Sequence, residues 1–179
     1  MSKYVAFLRG INVGGKNMIP MAELRKLAAG AGLTDPQTHL QSGNLLFGGQ
    51  ARTENELEEL LERKNLEQFG FAIDYHVRSI DHLRLLAEKN PFPQEARDDP
   101  SHLVVAFFKA PLDPAACGNL RSAIRGRERF LERDREAFIV YPDGIGESKL
   151  TNALMDSKLG LLGTARNWNT ILKLVELGG

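Results

Sequence analysis

The sequence predicts an α+β protein built from two successive ferredoxin-like halves, each β-α-β-β-α-β followed by an extra helix, packed as one compact body. Three observations predict it. Apolar runs of strand character open both halves, KYVAFLR at residues 3–9 and HLVVAFFK at residues 102–109. A hairpin signal follows the first helix of each half, around Ser42-Gly43 and within ERFLERDREAFIVYP. The breakers Pro91, Pro93 and Pro100 interrupt the chain at NPFPQEARDDP, which sets a first half at 1–90, a linker at 91–100 and a second half at 101–179. Residue identity between the halves is slight, so the order of elements carries the argument.

The elements follow in order. KYVAFLR is nearly continuous in apolar residues, as a strand buried on both faces would be, and a glycine-rich stretch ends it. Pro20 suits a helix start, and MAELRKLAAG places Met21, Leu24, Leu27 and Ala28 on one face before Gly30 and Gly32. THLQSGNLLFGG reads as two short strands, with Gly43 supplying the positive φ of the turn. Thr53 and Glu56 form a capping box for a helix that keeps Leu57, Leu60, Leu61 and Phe69 on one side until Gly70. FAIDYHV alternates as a strand, and SIDHLRLLAEKN is the extra helix. In the second half Pro114 opens a helix through Leu120 and Ile124, and the hairpin follows. SKLTNALMDSKLG is a helix, GTAR a link, and NWNTILKLVEL the last helix.

Composition excludes several classes of function. The 179 residues are 42% hydrophobic and 26% charged, ordinary for a globular chain. Lys plus Arg and Asp plus Glu both number 23, so no global field draws the protein to nucleic acid or an anionic membrane. A single Cys117 forms no intrachain disulfide, and the apolar run before Arg9 is too short for a signal peptide, which makes cytoplasm the expected location. No run reaches the roughly 20 apolar residues of a membrane span.

FLRGINVGGKN nearly matches a P-loop, since Gly10, Gly15 and Lys16 have its spacing, but Asn17 stands where magnesium needs a hydroxyl. Pro20 also places the helix start several residues beyond Lys16, so the backbone cradle would be misplaced. A milder reading makes Arg9, Asn12, Gly14, Gly15, Lys16 and Asn17 an anion or polar-ligand site. A tight excursion with both asparagines bonded to backbone explains the same residues equally well. Gln41, Ser42 and Asn44 bring polar side chains to the hairpin, where turn chemistry alone is the stronger reading.

A third cluster comprises Ser148, Lys149, Thr151 and Asn152, with Arg166, Asn167, Trp168, Asn169 and Thr170. Ser148 and Asn167 suit N-caps, which leaves Lys149, Asn152, Arg166 and Asn169 as candidates for a carboxylate or phosphate. Trp168 lies on the stripe of Ile171, Leu172 and Val175, so core packing outweighs ligand stacking. Arg121, Arg125, Arg127, Arg129, Arg133 and Arg135 alternate with acids, the pattern of a salt-bridged surface. His39, His76, His82 and His102 are scattered, so no zinc site is expected, and Cys117 reads as a core residue. There is no GxSxG elbow, and the acid pairs read as solvent-facing.

Four segments, RGINVGGKNMIPMAELRKL, QSGNLLF, YPDGIGESKLTNALMDSKLG and GTARNWNTILKLVEL, together resemble the bacterial family catalogued as domain of unknown function 1697. The resemblance spans nearly the whole chain. It implies a single-chain α+β protein with a duplicated ferredoxin-like arrangement, and it carries over no catalytic residue and no cofactor. The leading expectation is a cytoplasmic protein binding a small anionic or polar ligand through the opening loop, QSGN and the C-terminal segments. A group-transfer enzyme using the same residues, with Lys16 or Lys149 stabilising developing charge, is the alternative. An RNA- or protein-interaction module is the third reading, and zero net charge argues against nucleic acid.

Overall fold

A computed structural model describes residues 1–49 and 52–179 of the chain. It is a mixed α+β structure with two four-stranded antiparallel sheets and, among the described residues, seven α-helices. Two units result, Met1–Glu88 with Lys173–Gly179, and Lys89–Leu172. The first holds β1 (Ser2–Leu8), α1 (Met21–Gly30), β2 (Thr34–His39), β3 (Asn44–Gly49), α2 (Glu54–Phe69), β4 (Tyr75–Ser79) and α3 (Ile80–Glu88). Its sheet order is β2-β3-β1-β4.

The core of this unit follows from strand alternation. Tyr4, Ala6 and Leu8 of β1 share one face with Leu45, Phe47, Tyr75 and Val77, and Leu24, Leu27, Leu57 and Leu61 of α1 and α2 close over them. Each fully buried Leu or Phe of this kind contributes about 1.5–3 kcal/mol. The opposite face is also buried, with Val5, Phe7, Asn44, His76 and Arg78 at 0% exposure. That explains why β1 reads as a continuous apolar run. The capping box forms as expected, Glu56 N–H donating to Thr53 Oγ1 and Thr53 N–H to Glu56 Oε2, and Gly70 ends the helix at φ 78°.

Acid pairs are expected to face solvent, but three acids of α2 do not. Glu54, Glu58 and Glu62 lie four residues apart and turn inward onto β4, a strand at the edge of the sheet. Glu62 accepts the Tyr75 N–H at 2.9 Å, Glu58 that of Val77 at 2.8 Å and Glu54 that of Ser79 at 2.9 Å. A helix face repeating every fourth residue meets a strand whose N–H groups point the same way at every second, so three carboxylates satisfy an edge that would otherwise invite another strand. Glu58 is only 3% exposed and lies 3.9 Å from the buried Arg78 guanidinium.

The second unit begins with α4 (Pro93–Asp98) and a 3-10 turn at Pro100–His102, helical structure inside the segment expected to be a linker. β5 (Leu103–Phe107), α5 (Pro114–Ala123), β6 (Arg129–Arg133), β7 (Glu136–Val140), α6 (Asn152–Leu159) and β8 (Thr164–Asn167) follow, with sheet order β6-β7-β5-β8. The last helix, α7 (Trp168–Gly178), has its final residues, from Lys173 on, in the first unit. Val104, Ala106, Phe108, Leu120, Ile139, Tyr141 and Met155 form the core.

Two expectations are corrected here. GTAR is not a link, because Thr164–Asn167 pairs with β5 along its length, placing Arg166 opposite Val105 and Thr164 opposite Phe107. Four residues are too few to show a period in sequence. The sixth helix starts at Asn152 and not at Ser148, since Thr151 Oγ1 accepts the Leu154 N–H and is the N-cap. Ser148 instead donates to Glu128 Oε1 and accepts the Leu150 N–H at 3.0 Å.

Candidate functional site

The connection from β1 to α1 is a small protruding hairpin. Val13 and Lys16 pair as an isolated bridge, Lys16 N–H donates to Val13 O at 3.0 Å, and the central Gly14 and Gly15 have φ of 57° and 74°. Positive φ at both central residues defines the hairpin turn that Gly-Gly favours. Lys16 therefore lies on the ascending arm of a β-turn, well before α1 begins at Met21, and no phosphate cradle leads into a helix.

Asn12 anchors the base of this tongue. Its Oδ1 accepts the Ile19 N–H at 2.8 Å, while Nδ2 donates to Ile19 O at 3.1 Å and to Gln41 O at 2.8 Å. Asn17 Nδ2 donates to Gly10 O at 3.2 Å, and both asparagines sit at positive φ, 54° and 49°. Their carboxamides thus serve the loop's own backbone. Gly14, Gly15, Lys16 and Asn17 are all exposed, as are Val13 at 67% and Met18 at 58%.

The bond from Asn12 to Gln41 joins the opening loop to the second predicted cluster. Leu8 N–H also donates to Gly43 O at 3.0 Å, and a Cβ at Gly43 would stand 2.6 Å from Ile11 Cδ1 and 2.8 Å from Leu8 Cβ. Gly43, at φ 87°, is required both by the turn and by this close approach. Gln41 and Ser42 are exposed, whereas Asn44 is fully buried and donates through Nδ2 to His39 O at 2.7 Å. Arg9 is half-buried, its N–H donating to Asp74 O.

In the second unit the candidates divide. Lys149, Asn152 and Asn169 are exposed and make no side-chain hydrogen bond or ion pair among the described residues. Thr151 is consumed as a cap, and Asn167 caps α7 by accepting the Thr170 N–H at 3.0 Å and its hydroxyl at 3.1 Å. Trp168 is 3% exposed with its ring 6.4 Å from that of Phe138, a core anchor. Arg166 is buried and donates through Nη1 to Thr164 Oγ1 and Ala165 O, both at 2.8 Å, and burial pushes its guanidinium down to about 10.

Other reactive groups are quiet. Cys117 is fully buried and its thiol is pushed up to about 11, chiefly by desolvation and then by the Glu132 carboxylate, so it is a poor nucleophile. Burial, with Glu128 adding to it, pushes the Tyr141 phenol up to about 12 while its hydroxyl donates to Leu150 O at 3.3 Å. His102 Nδ1 lies 2.7 Å from Asp99 Oδ2 across the 3-10 turn. No group of three or more metal-ligating side chains occurs among the described residues. No helix among them is long and apolar enough to cross a membrane.

Sequence reasoning missed Arg78 and Glu58, the buried ion pair behind β4. Arg78 follows the strand run FAIDYHV directly, but nothing local marks its guanidinium as inward. It donates through Nη1 to Val77 O at 2.8 Å, as Arg166 does to the carbonyl before it.

Fold and loops together define an α+β protein that displays polar loops. A family model described as a protein of unknown function, DUF1697, matches residues 1–138, and the chain belongs to that family. A search of the curated proteins finds no match. Among solved structures, the chain is similar to the conserved bacterial protein SP0830 from Streptococcus pneumoniae, at 23% identity over 99% of each chain with a TM-score of 0.79. At that identity the likeness concerns the fold alone.

Proposed function

We propose that the protein binds a small anionic or polar ligand, and that the tongue of the first unit is the recognising element. The observation that carries this reading is Lys16. It is exposed, has no acidic partner among the described residues, and follows Gly14 and Gly15, whose N–H groups donate to nothing among those residues. An ammonium beside free peptide N–H groups favours a carboxylate or phosphate. Asn12 holds the base of the tongue with three hydrogen bonds, so a ligand meets a preformed loop. Lys149, Asn152 and Asn169 are further donors of the same chemistry in the second unit.

We also read each unit as ferredoxin-like and the two as copies of one pattern, a reading supported by the matching strand orders. A cytoplasmic location in a bacterial cell accords with the lone buried Cys117 and with the similarity to a bacterial protein.

A thermal-shift screen of nucleotides, phosphorylated metabolites and carboxylates tests the function. A ligand at a hundred times its dissociation constant stabilises the folded state by about 2.7 kcal/mol. At least one compound is expected to raise the melting temperature of the wild type and to lose that effect in Lys16→Ala, whose side chain makes no folding contact. Equal shifts in both proteins, or none in either, would sink the reading.

A further inference from the structure

A polar depression lies within the second unit, between residues 119–125 at the end of α5 and residues 157–158 of α6. It is a shallow hollow of about 520 Å³, largely open to solvent, lined by Asn119, Ser122, Ala123, Arg125, Ser157 and Lys158. No carboxylate is among these residues. Three neutral side chains able to donate hydrogen bonds surround two cations.

What distinguishes Arg125 is how its neighbours are used. Arg121 pairs with Glu132, Arg127 with Asp143 and Arg129 with Glu95, while Arg133 donates to Lys89 O and lies over the Phe138 ring. Within this stretch Glu132 is thereby paired with Arg121, and Glu128 accepts a hydrogen bond from Ser148. Arg125 and Lys158 are exposed and have no hydrogen bond or ion pair among the described residues.

Arg125 and Lys158 give the depression two positive charges. An anion held here must rely on side chains. A guanidinium fork supplies paired donors matched to phosphate oxygens, Lys158 supplies a movable point charge, and the Ser122, Ser157 and Asn119 side chains complete the shell.

We propose that this depression is a phosphate-binding site, taking the phosphoryl group of a small phosphorylated molecule or of a nucleic-acid backbone. It shares no residue with the tongue and stands independently of the reading above. The remainder of the ligand stays in solvent, because all five polar lining residues are exposed.

Amide NMR titrations of the full chain with inorganic phosphate and with oligothymidylate, at constant ionic strength, test it. Saturable shifts are expected at residues 119–125 and 157–160. In the Arg125→Gln, Lys158→Gln double variant the apparent affinity falls by at least about tenfold. Arg127→Gln, which breaks a pair with Asp143, leaves it unchanged. Saturation by phosphate alone identifies a free phosphoryl group as the ligand, and tighter, steeply salt-dependent saturation by the oligonucleotide identifies a backbone. The proposal is overturned if those amides do not saturate, if the double variant binds like wild type, or if sodium chloride at equal ionic strength reproduces the shifts.

Discussion

The two units share a strand order and differ in where they invest chain. Between first strand and first helix the first unit runs through residues 9–20, the second only through 108–113. Between third strand and next helix the relation inverts, with Gly49 and Glu54 close together in the first unit and residues 141–151 intervening in the second. Because β1 and β3 are antiparallel, as are β5 and β7, these long loops lie at opposite ends of their respective sheets. Each framework tolerates a long loop at one end because loop-closure entropy grows slowly with length.

Helix length separates them further. α2 covers Glu54–Phe69, long enough to lay three carboxylates along β4, whereas α6 covers only Asn152–Leu159. Both edge strands bury an arginine on the same face, Arg78 opposite Val5 and Arg166 opposite Val105. The first lies beside a carboxylate and the second beside a threonine hydroxyl. A shared topology thus places a buried cation at the same position of the edge strand in both units.

Removing the carboxylate is the harshest test of that contrast. Glu58→Ala strips the acceptor from Val77 N–H and a carboxylate from beside the buried Arg78, and should cost about 3–5 kcal/mol in urea unfolding. Glu58→Gln, which keeps an acceptor, should cost about half as much. Asn152→Ala, at the exposed start of α6, should stay within about 0.5 kcal/mol. Equal costs for Glu58→Ala and Asn152→Ala would erase the distinction.

The hairpins offer a smaller effect. Gly43→Ala meets Leu8 Cβ at 2.8 Å at a φ of 87° and should destabilise by about 2–3 kcal/mol. Asp134, at the equivalent turn of the second unit, already carries a side chain at φ 54°, so Asp134→Gly should change stability by less than about 1 kcal/mol. Helix caps should cost less again and alike in both units. Thr53→Ala and Thr151→Ala should each remove about 1 kcal/mol, readable as a shift in denaturation midpoint.

The smallest effect is confined to acid. The Arg121 guanidinium bonded to Glu132 holds that carboxyl below its usual range. A group with a lowered folded pKa contributes stability above its unfolded value, which is lost as pH falls through the folded one. The stability difference between wild type and Glu132→Gln should be constant above about pH 5 and shrink below about pH 4. A difference that is flat down to pH 2 would remove the pair from the account.

Legibility followed the range of the interactions. The Thr53 and Glu56 box, the Gly70 stop and the buried β1 run are all set by residues a few positions apart, and each was readable. Lys16 was legible as a lysine too far ahead of its helix for a P-loop, since Pro20 announces where α1 begins. The bond from Asn12 to Gln41 and the ladder from α2 to β4 were not readable, because their partners lie far apart in the chain. Nor was β8, a four-residue strand defined by pairing with β5.

Local patterning by itself determined the helices with strong caps, the apolar strands and the candidate polar loops, because propensity, capping and periodicity act over one or two turns. Only the tertiary structure decided which polar groups are spent internally, such as Asn12, Asn17, Glu58 and Arg166, and which remain exposed and uncommitted, such as Lys16 and Arg125. The physical reason is that a side chain's partner is chosen by what packing brings within about 3 Å, and that distance is not written in its neighbours.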